Sequence, residues 1–361
     1  MKPKNDTRGR SASSSLSITI ASMVRELCTY IAPAVIPYRN LALEAYMTET
    51  VPAGRVTFYL WQNDRTVVIG RHQNAWAEAN VTELEADGGY LVRRLSGGGA
   101  VYHDTQNLNF TFIANDADYS LDRQLEVILR AVSSFGVKAE HSGRNDITVE
   151  SRKFSGNAFY RSRGRRYHHG TLLVDVDTEA MGRYLKPSDT KLASKGVASV
   201  RSRVVNLREL IPDLTIDSLK AALTAAFADV YGLDVRPLDE RELDEKRLGE
   251  LEALFSSWEW KYGRNVPFTT SAGARYSWGE AELQLAVRHG VIEDAILYSD
   301  SLESSLVDSI PARLTAAPCT EDGIRLALKP TRADDEASRV MLADLIGLAL
   351  DALELGASGH D

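Results

Sequence analysis

The glycine triplet Gly97–Gly99 follows two adjacent arginines, Arg93 and Arg94, and lies between two apolar runs. Glycine leaves backbone N–H groups uncovered by a side chain, so an anion can approach them directly. Arginine adds a planar fork of donors that matches phosphate or carboxylate. The segment is therefore a candidate anion-binding loop, and a mobile hairpin turn is the alternative for the glycine triplet alone.

Three further polar motifs follow along the chain. Gly143–Asp146 precedes an alternating run, Lys153 stands in the sequence Arg-Lys-Phe-Ser-Gly, and Lys191–Val204 is basic and rich in small residues. Three short strands joined by tight turns are predicted for the runs Ile147–Glu150, Arg152–Tyr160 and Tyr167–Val174.

These groups suit the activation of a carboxylic acid by adenylation. Joining an acid to an amine in water needs a leaving group, and converting the carboxylate to a mixed anhydride with AMP supplies one. Negative charge then gathers on the carboxylate and on the α-phosphate, so fixed positive charge and backbone donors are needed at one spot. Arg94, the amides of Gly97–Gly99 and Lys153 offer them, whereas the sequence has no Gly-x-Ser-x-Gly elbow and no Walker loop.

The order of the motifs resembles that of lipoate–protein ligases, which activate free lipoic acid with ATP. The resemblance is carried by the segments RRLSGGGAVYHD, GRNDI, RKFSGNAFYR, YHHGTLLVD and KLASKGVASVRSRVVNL. It runs from about Leu41 to Leu207 and continues more thinly through Ser257–Gly263, a tryptophan motif of the two-domain members. It implies an α+β fold: a mixed-sheet catalytic domain similar to those of biotin ligases, and a small α+β accessory domain at the C-terminus.

The resemblance also implies roles for individual residues. Lys153 would bridge the carboxylate of the acid and the α-phosphate of the nucleotide, and Lys195 and Gly196 would belong to the adenylate loop. Tyr102 departs from the family, which usually has phenylalanine there. The implied ATP-binding residues are Arg94, Gly99, Ala100, Val101, Tyr102 and Lys153, and the implied lipoate-binding residues are Arg94, Gly98, Gly99 and Lys153.

Asp146 is the candidate ligand for the Mg²⁺ that accompanies ATP, because this ion prefers one or two carboxylates together with phosphate oxygens. We therefore expect ATP and Mg²⁺ as cofactors and lipoate as a substrate. His168 and His169 are adjacent in a predicted strand, where they face opposite sides and cannot bind one ion together. We expect structural roles for them, or one histidine that lines the site.

The composition is that of a globular protein and excludes several classes of function. The 361 residues include 42 Lys and Arg and 50 Asp and Glu, and the net charge of −8 argues against a general nucleic-acid binder. Cys28 and Cys319 support neither a disulfide framework nor a cysteine zinc site. No apolar run reaches the roughly 18 residues that a membrane span needs. We expect a cytoplasmic protein.

Three segments are predicted along the chain. Residues 1–22 are rich in serine and basic side chains and are expected to be a disordered or targeting extension, so a mitochondrial location is the alternative. The catalytic domain is predicted over residues 23–251. The accessory domain is predicted over residues 258–361.

A few elements can be predicted in more detail. Ser120 is expected to cap a helix that ends at Gly136. The alternation in Leu108–Ile113 predicts a strand with one buried face. The charged segment Pro237–Leu251 predicts a solvated helix, and the two tryptophans that follow, in Trp258–Trp260, are expected to be packing anchors.

These observations predict an acid–AMP-forming lipoate–protein ligase. Lipoate and ATP would give lipoyl-AMP, and the lipoyl group would pass to a lysine of a 2-oxoacid dehydrogenase E2 subunit or of the glycine cleavage H protein. The alternatives are an ATP-independent octanoyl or lipoyl transferase on the same fold, and a non-enzymatic protein that binds lipoyl-AMP. A biotin ligase is disfavoured, because this chain has Ser-Gly-Gly-Gly where that family carries a Gly-Arg-Gly-Arg type of loop. The preference between lipoate and octanoate stays open.

Overall fold

The computed structural model of the protein describes residues 24–143, 145–186, 204–263 and 267–358. The predicted N-terminal extension therefore lies outside the described residues. So do Lys195 and Gly196 of the predicted adenylate loop.

The larger part of the chain mixes strands and helices. Its strands are β1 (Glu26–Ile31), β2 (Arg55–Trp61), β3 (Thr66–Ile69), β4 (Tyr90–Arg93), β5 (Val101–His103), β6 (Asn107–Asn115), β7 (Glu140–Ser142), β8 (Asp146–Val149), β9 (Arg152–Ser162), β10 (Arg165–Leu173) and β11 (Val235–Pro237). Its helices are α1 (Pro37–Thr50), α2 (Ala75–Glu78), α3 (Val81–Ala86), α4 (Leu121–Ser133), α5 (Thr178–Tyr184), α6 (Leu207–Leu210), α7 (Ile216–Tyr231), α8 (Glu245–Ser256) and α9 (Trp258–Tyr262). The three strands expected after Gly143 are confirmed as β8, β9 and β10.

The main sheet has eight strands in the order β11-β1-β2-β6-β10-β9-β8-β7. β1 is parallel to β2 and β11, whereas the neighbours from β2 to β7 are antiparallel. The predicted mixed sheet is therefore confirmed. One face forms a hydrophobic core with α4 and α7, in which Phe58 stacks on Phe112 with ring centroids 4.2 Å apart.

A smaller sheet, in the order β4-β3-β5, covers part of the other face. β3 pairs in parallel with β4 and antiparallel with β5, and the glycine triplet lies in the connection between β4 and β5. β2 and β3 are consecutive in the chain, but they belong to different sheets. The glycine loop is thereby brought over the main sheet.

β6 has a buried apolar face, as its alternation predicts, and its opposite face is buried as well. Phe110 and Phe112 belong to the core, and Asn109 and Thr111 on the opposite face are also buried. Their surroundings are supplied by the smaller sheet and by α1. Buried polar side chains need hydrogen-bond partners, and those of Asn109 and Thr111 lead into the candidate active site.

The helix predictions hold with shifted boundaries. Ser120 accepts from the backbone N–H of Arg123, and Gly136, with φ of +83°, follows the end of α4. In the charged segment, the helix begins only at Glu245, where the Asp244 side chain caps it, and it continues to Ser256.

The two tryptophans after α8 differ in burial. Trp260 is part-buried, and its indole N–H donates to the backbone oxygen of Arg93 at 2.8 Å, as expected for a packing anchor. Trp258 is 57% exposed, so that prediction is wrong for it. Its ring lies at the surface, with its centroid 5.3 Å from that of Tyr262.

The C-terminal part forms its own sheet and core. Its elements are β12 (Thr270–Tyr276), β13 (Gly279–Arg288), β14 (Val291–Ser299), α10 (Ser304–Leu314), α11 (Glu321–Leu328) and α12 (Glu336–Ser358). The antiparallel sheet β12-β13-β14 packs with these helices around one hydrophobic cluster. The predicted small α+β domain is present, with α11 as an additional short helix. None of the helices in the described part of the chain has the length and apolar character that crossing a membrane requires.

Leu223→Ala tests the core beneath the main sheet. Leu223 lies on α7 and is fully buried, so we expect the free energy of unfolding to fall by about 2–5 kcal/mol. Leu254→Ala on α8 is the matched control, because Leu254 is 42% exposed and its truncation should change stability by about 0.5 kcal/mol or less. Urea denaturation of both variants measures the difference. Equal losses would contradict the packing described for α7.

Candidate active site

A cavity of about 160 Å³ lies between the main sheet and the glycine loop. Most of the predicted site residues line it, namely Arg94, Gly98, Gly99, Ala100, Val101 and Lys153. The side chain of Tyr102 faces the other way, because neighbours in a strand alternate, and it packs beside Tyr184 with ring centroids 5.7 Å apart. Tyr102 can therefore contribute to the cavity through its backbone alone.

Arg94 holds the glycine loop in shape. Its Nη2 donates to the backbone oxygens of Gly97 and Gly99 at 2.7 and 2.8 Å, and its Nε donates to Ser96 Oγ at 3.0 Å. Nη1 donates to the backbone oxygen of Val68 at 3.2 Å. Burial lowers the pKa of Arg94 to about 10. Its guanidinium thus positions the loop from behind in this conformation, and direct contact of Arg94 with a ligand stays a prediction.

Arg93, the other arginine of the motif, points away from the cavity. Its guanidinium donates to the backbone oxygens of Gly70, Arg71 and Gln73 in the connection after β3. It also donates to the backbone oxygens of Trp260 and Lys261 in α9. Burial lowers its pKa to about 10 as well. Arg93 therefore ties the tryptophan motif to the smaller sheet.

The C-terminal domain contacts the glycine loop directly. The backbone N–H of Gly98 donates to the backbone oxygen of Ser301 at 3.0 Å. A Cβ at position 97 would lie 2.1 Å from the same oxygen, and Gly98 has a φ of +91°. The close contact with Ser301 thus requires glycine at position 97, and the positive φ favours glycine at position 98. An anion can use the Gly98 N–H only if the Ser301 oxygen moves away.

Lys153 lies at the rim of the cavity. Its Nζ is 2.7 Å from Asp146 Oδ1, and both side chains are about one third exposed, at 35% and 37%. The side chain passes over Gly156, where an added Cβ would come within 2.9 Å of Nζ. The Lys153 backbone oxygen accepts from the N–H of Val205. The two residues that the sequence predicts for charge stabilisation and for Mg²⁺ are therefore neighbours.

A buried glutamate that the sequence analysis missed lies behind the cavity. Glu44 on α1 is 1% exposed, and its Oε1 accepts from Thr111 Oγ1 at 2.7 Å and lies 2.8 Å from His169 Nδ1. His169 Nε2 lies 2.8 Å from Ser96 Oγ. With the ring hydrogen on Nδ1, the donors run in one direction from Arg94 through Ser96 and His169 to the carboxylate. Glu44 stands in an apolar helical run, which gives no signal of this role.

His168 points into the opposite core, as the alternation of a strand requires. Its Nε2 lies 2.8 Å from Asn157 Oδ1, and its Nδ1 lies 3.2 Å from the Gln124 side-chain amide. Burial lowers the pKa of His168 to about 3, so one ring nitrogen must accept. When the oxygen and nitrogen of the Gln124 side-chain amide are exchanged, the nitrogen donates to His168 Nδ1. The hydrogen on His168 Nε2 then donates to Asn157 Oδ1. His169 lines the cavity and His168 does not, so the expectation for this pair is confirmed.

The cavity joins two kinds of surface. Lys153, Asn145 and the glycine loop supply polar groups, while Leu41, Trp61 and Val68 supply apolar and aromatic surface. Such an arrangement can hold a molecule with a charged head and a long apolar body, because burial of each methylene gains about 0.8 kcal/mol.

Family models match both parts of the chain. The lipoyl protein ligase A/B catalytic domain matches residues 36–228, more than half of the chain, and the bacterial lipoate protein ligase C-terminus matches residues 265–348. Lipoate-protein ligase A of Blochmanniella pennsylvanica (strain BPEN) is 38% identical over 301 residues, which cover 81% of this chain and 89% of that protein.

Solved structures of similar proteins agree with these matches. P. falciparum LipL1, in complex with lipoate, superposes with a TM-score of 0.80 at 27% identity, covering 90% of this chain and 99% of that one. A bipartite ligase of Thermoplasma acidophilum, described with its E2 lipoyl domain, gives a TM-score of 0.59 at 28% identity over 68% of this chain and 99% of that one. A lipoate-protein ligase A bound with ATP gives 0.58 at 26% identity over 67% of this chain and 99% of that one. The chain belongs to the lipoate–protein ligase family.

Proposed function

We propose that this chain activates lipoate with ATP to form lipoyl-AMP and then transfers the lipoyl group to a lysine of a lipoyl domain. The cavity carries the proposal, because its lining combines Lys153 and the glycine loop with the apolar surface of Leu41 and Trp61. A C8 acid with one carboxylate matches this polarity. The similarity to ligases that were solved with lipoate and with ATP supports both substrates.

Lys153 is the proposed catalytic residue. In the first half-reaction a carboxylate oxygen attacks the α-phosphorus and pyrophosphate leaves. In the second, the acceptor amine attacks the carbonyl carbon of the mixed anhydride and AMP leaves with the bonding electron pair. Negative charge develops near one point in both steps, so one preorganised cation can stabilise both. The ion pair with Asp146 holds the Lys153 ammonium at that point before the substrates bind.

Asp146 is the proposed Mg²⁺ ligand. Its partly exposed carboxylate at the cavity rim suits an ion that the nucleotide brings, because such an ion takes one or two carboxylates plus phosphate oxygens. Within the described ranges, no group of three His, Cys, Asp or Glu side chains forms a separate metal site. When bound, the ion would neutralise charge on the pyrophosphate. Asp146 would then be shared between the ion and Lys153.

The nucleotide is proposed to bind along the glycine loop and β5, with Gly99, Ala100, Val101 and the backbone of Tyr102 in contact with it. A Cβ at Gly99 would meet nothing within 4 Å, so this part of the loop is open. We propose that residues 23–251 form the catalytic domain and residues 258–361 the accessory domain. The accessory domain would then contribute to the nucleotide site, because its Ser301 backbone oxygen accepts from the Gly98 N–H. Lys195 and Gly196 are proposed to complete the adenylate site.

A lipoyl domain is the proposed acceptor, which the similarity to the bipartite ligase supports. More specifically, we propose the E2 subunits of 2-oxoacid dehydrogenases and the glycine cleavage H protein. A cytoplasmic location stays a prediction. Lipoate-dependent exchange of pyrophosphate into ATP tests the proposed function, because an ATP-independent acyl transferase cannot catalyse it.

Lys153→Ala should lower the rate of pyrophosphate exchange at least about 100-fold, since one preorganised charge at a developing anion is worth roughly 2.7–4 kcal/mol. Lys246→Ala, which removes an exposed lysine on α8, is the matched control and should keep the parental rate. Circular dichroism verifies that both variants are folded. Parental exchange by a folded Lys153→Ala protein would refute the assignment.

Gly98→Val should raise the apparent KM for ATP or lipoate about tenfold, because positive φ strains a β-branched residue by roughly 1–3 kcal/mol. A Cβ there would also come within 2.9 Å of Arg94 Nη2. Gly249→Ala on α8, where a Cβ meets nothing within 4 Å, is the control. Pyrophosphate exchange at varied substrate concentrations gives both constants. Unchanged constants in Gly98→Val would show that the loop is merely a turn.

A further inference from the structure

His103 on β5 is one of the histidines that line the cavity. It is 3% exposed and lines the cavity together with Trp61 and Asn109. In the main sheet, Trp61 pairs with Asn109 and Asn109 pairs with Thr171, whose hydroxyl accepts from the N–H of Gly156. β2 and β9 are three strand spacings apart, about 14 Å. A C8 acid and the Lys153 side chain together span that distance, so His103 would meet the far end of the bound acid.

Hydrogen bonds outside the cavity fix the hydrogen position on the His103 ring. Asn40 Nδ2 donates to the backbone oxygen of Gln62 at 2.8 Å, and the Tyr59 hydroxyl donates to Asn40 Oδ1 at 3.2 Å, which together identify the nitrogen of the amide. The same Nδ2 donates to Asn63 Oδ1 at 3.0 Å. Asn63 Nδ2 must therefore be the atom that lies 3.2 Å from His103 Nδ1, and it donates there.

A second amide is compatible with this assignment. When Asn107 Nδ2 donates to Asn109 Oδ1 at 2.8 Å, Asn109 Nδ2 lies 3.4 Å from His103 Nδ1. Because Asn63 donates to Nδ1, Nδ1 accepts and the ring hydrogen is on Nε2. Burial, together with the nearby charge of Arg94, lowers the pKa of His103 to about 3, so the ring carries a single hydrogen.

This Nε2–H has no hydrogen-bond partner among the described residues. A buried donor without a partner costs about 1–3 kcal/mol, and such a group calls for an explanation. The neighbouring donors are already used, since Trp61 Nε1 donates to Thr111 Oγ1 and Asn109 Nδ2 faces His103. His103, which lines the cavity, thus carries one buried and unused donor, and the amide of Asn63 fixes its position.

We propose that His103 is a specificity-determining residue, whose Nε2–H donates to a sulfur of the dithiolane ring of lipoate. The inference rests on the proposed function and concerns the choice between acids. A sulfur is a weak acceptor, but a buried N–H that no other group satisfies gains from it. An acid with a plain alkyl end leaves the donor unsatisfied, so the site favours lipoate over octanoate.

The sharpest probe replaces the sulfurs and keeps the ring. 5-Cyclopentylpentanoate has the ring size and chain of lipoate with carbon in place of both sulfurs, and octanoate has no ring. Acid-dependent pyrophosphate exchange with each of the three acids gives kcat/KM. For the parent protein we expect lipoate to exceed 5-cyclopentylpentanoate by about threefold to tenfold, the factor of one modest hydrogen bond. If the parent protein has equal kcat/KM values for lipoate and 5-cyclopentylpentanoate, the inference is overturned, and no variant is needed to show it.

Two variants assign that preference to the N–H group. His103→Phe keeps an aromatic ring and removes the donor, so the ratio of lipoate to 5-cyclopentylpentanoate should fall to about one. His103→Gln restores an N–H and should recover part of the ratio, which a purely structural role of His103 would not do. Equal losses for both acids in His103→Phe would show that the residue only packs.

The failure of the proposed function has a different signature. In that case none of the three acids supports pyrophosphate exchange by the parent protein. If octanoate and 5-cyclopentylpentanoate support exchange as well as lipoate does, the ligase assignment stands and the role of His103 is refuted.

Discussion

The carboxylate of Glu44 is the acceptor on which the geometry of the site depends. A buried carboxylate is costly unless donors surround it. Here two series of donors converge on it, one from Trp61 through Thr111 and one from Arg94 through Ser96 and His169. The first series comes from the main sheet and the second from the glycine loop. One charge on α1 therefore fixes the separation of the two layers that enclose the cavity, and loss of any intermediate side chain would leave that charge incompletely satisfied.

The position of the C-terminal domain adds a second constraint. Ser301 follows β14, and its backbone oxygen accepts from the Gly98 N–H, which is one of the backbone donors of the proposed anion-binding loop. The same domain is held nearby by Asp308, which lies 3.6 Å from His72 Nε2 and 3.9 Å from Arg71 Nε. Burial lowers the pKa of His72 to about 4, so only Arg71 forms an ion pair with Asp308, and such a pair at a part-exposed interface contributes little. The backbone hydrogen bonds from Gly98 N–H to Ser301 and from Ser299 N–H to His72 are the closer polar contacts of the domain with the catalytic part.

Local patterns in the sequence were sufficient for the elements and for part of the site. The cap at Ser120 and the three strands after Gly143 follow from turn residues and alternation, which act over a few residues. Lys153 and Asp146 were predicted as separate candidates, and only the pairing of β8 with β9 shows that they are neighbours. Burial of both faces of β6 could not be predicted, because its second cover comes from β3, β4 and β5, and their pairing is non-local. Glu44 and the amides that orient His103 were missed for the same reason: each is an ordinary polar residue until the fold supplies its partners.

The two cations of the cavity differ in a way that bears on the chemistry. Arg94 is buried, and its donors are committed to Val68, Ser96 and the glycine loop, so its charge is fixed in position and direction. Lys153 is about one third exposed and has a single carboxylate at 2.7 Å. A flexible ammonium can exchange that carboxylate for the oxygens of a substrate, whereas a guanidinium held by backbone carbonyls cannot. The two proposed half-reactions present different anions to the site. Of these two side chains, Lys153 is the one that can change its hydrogen-bond partner between the two steps.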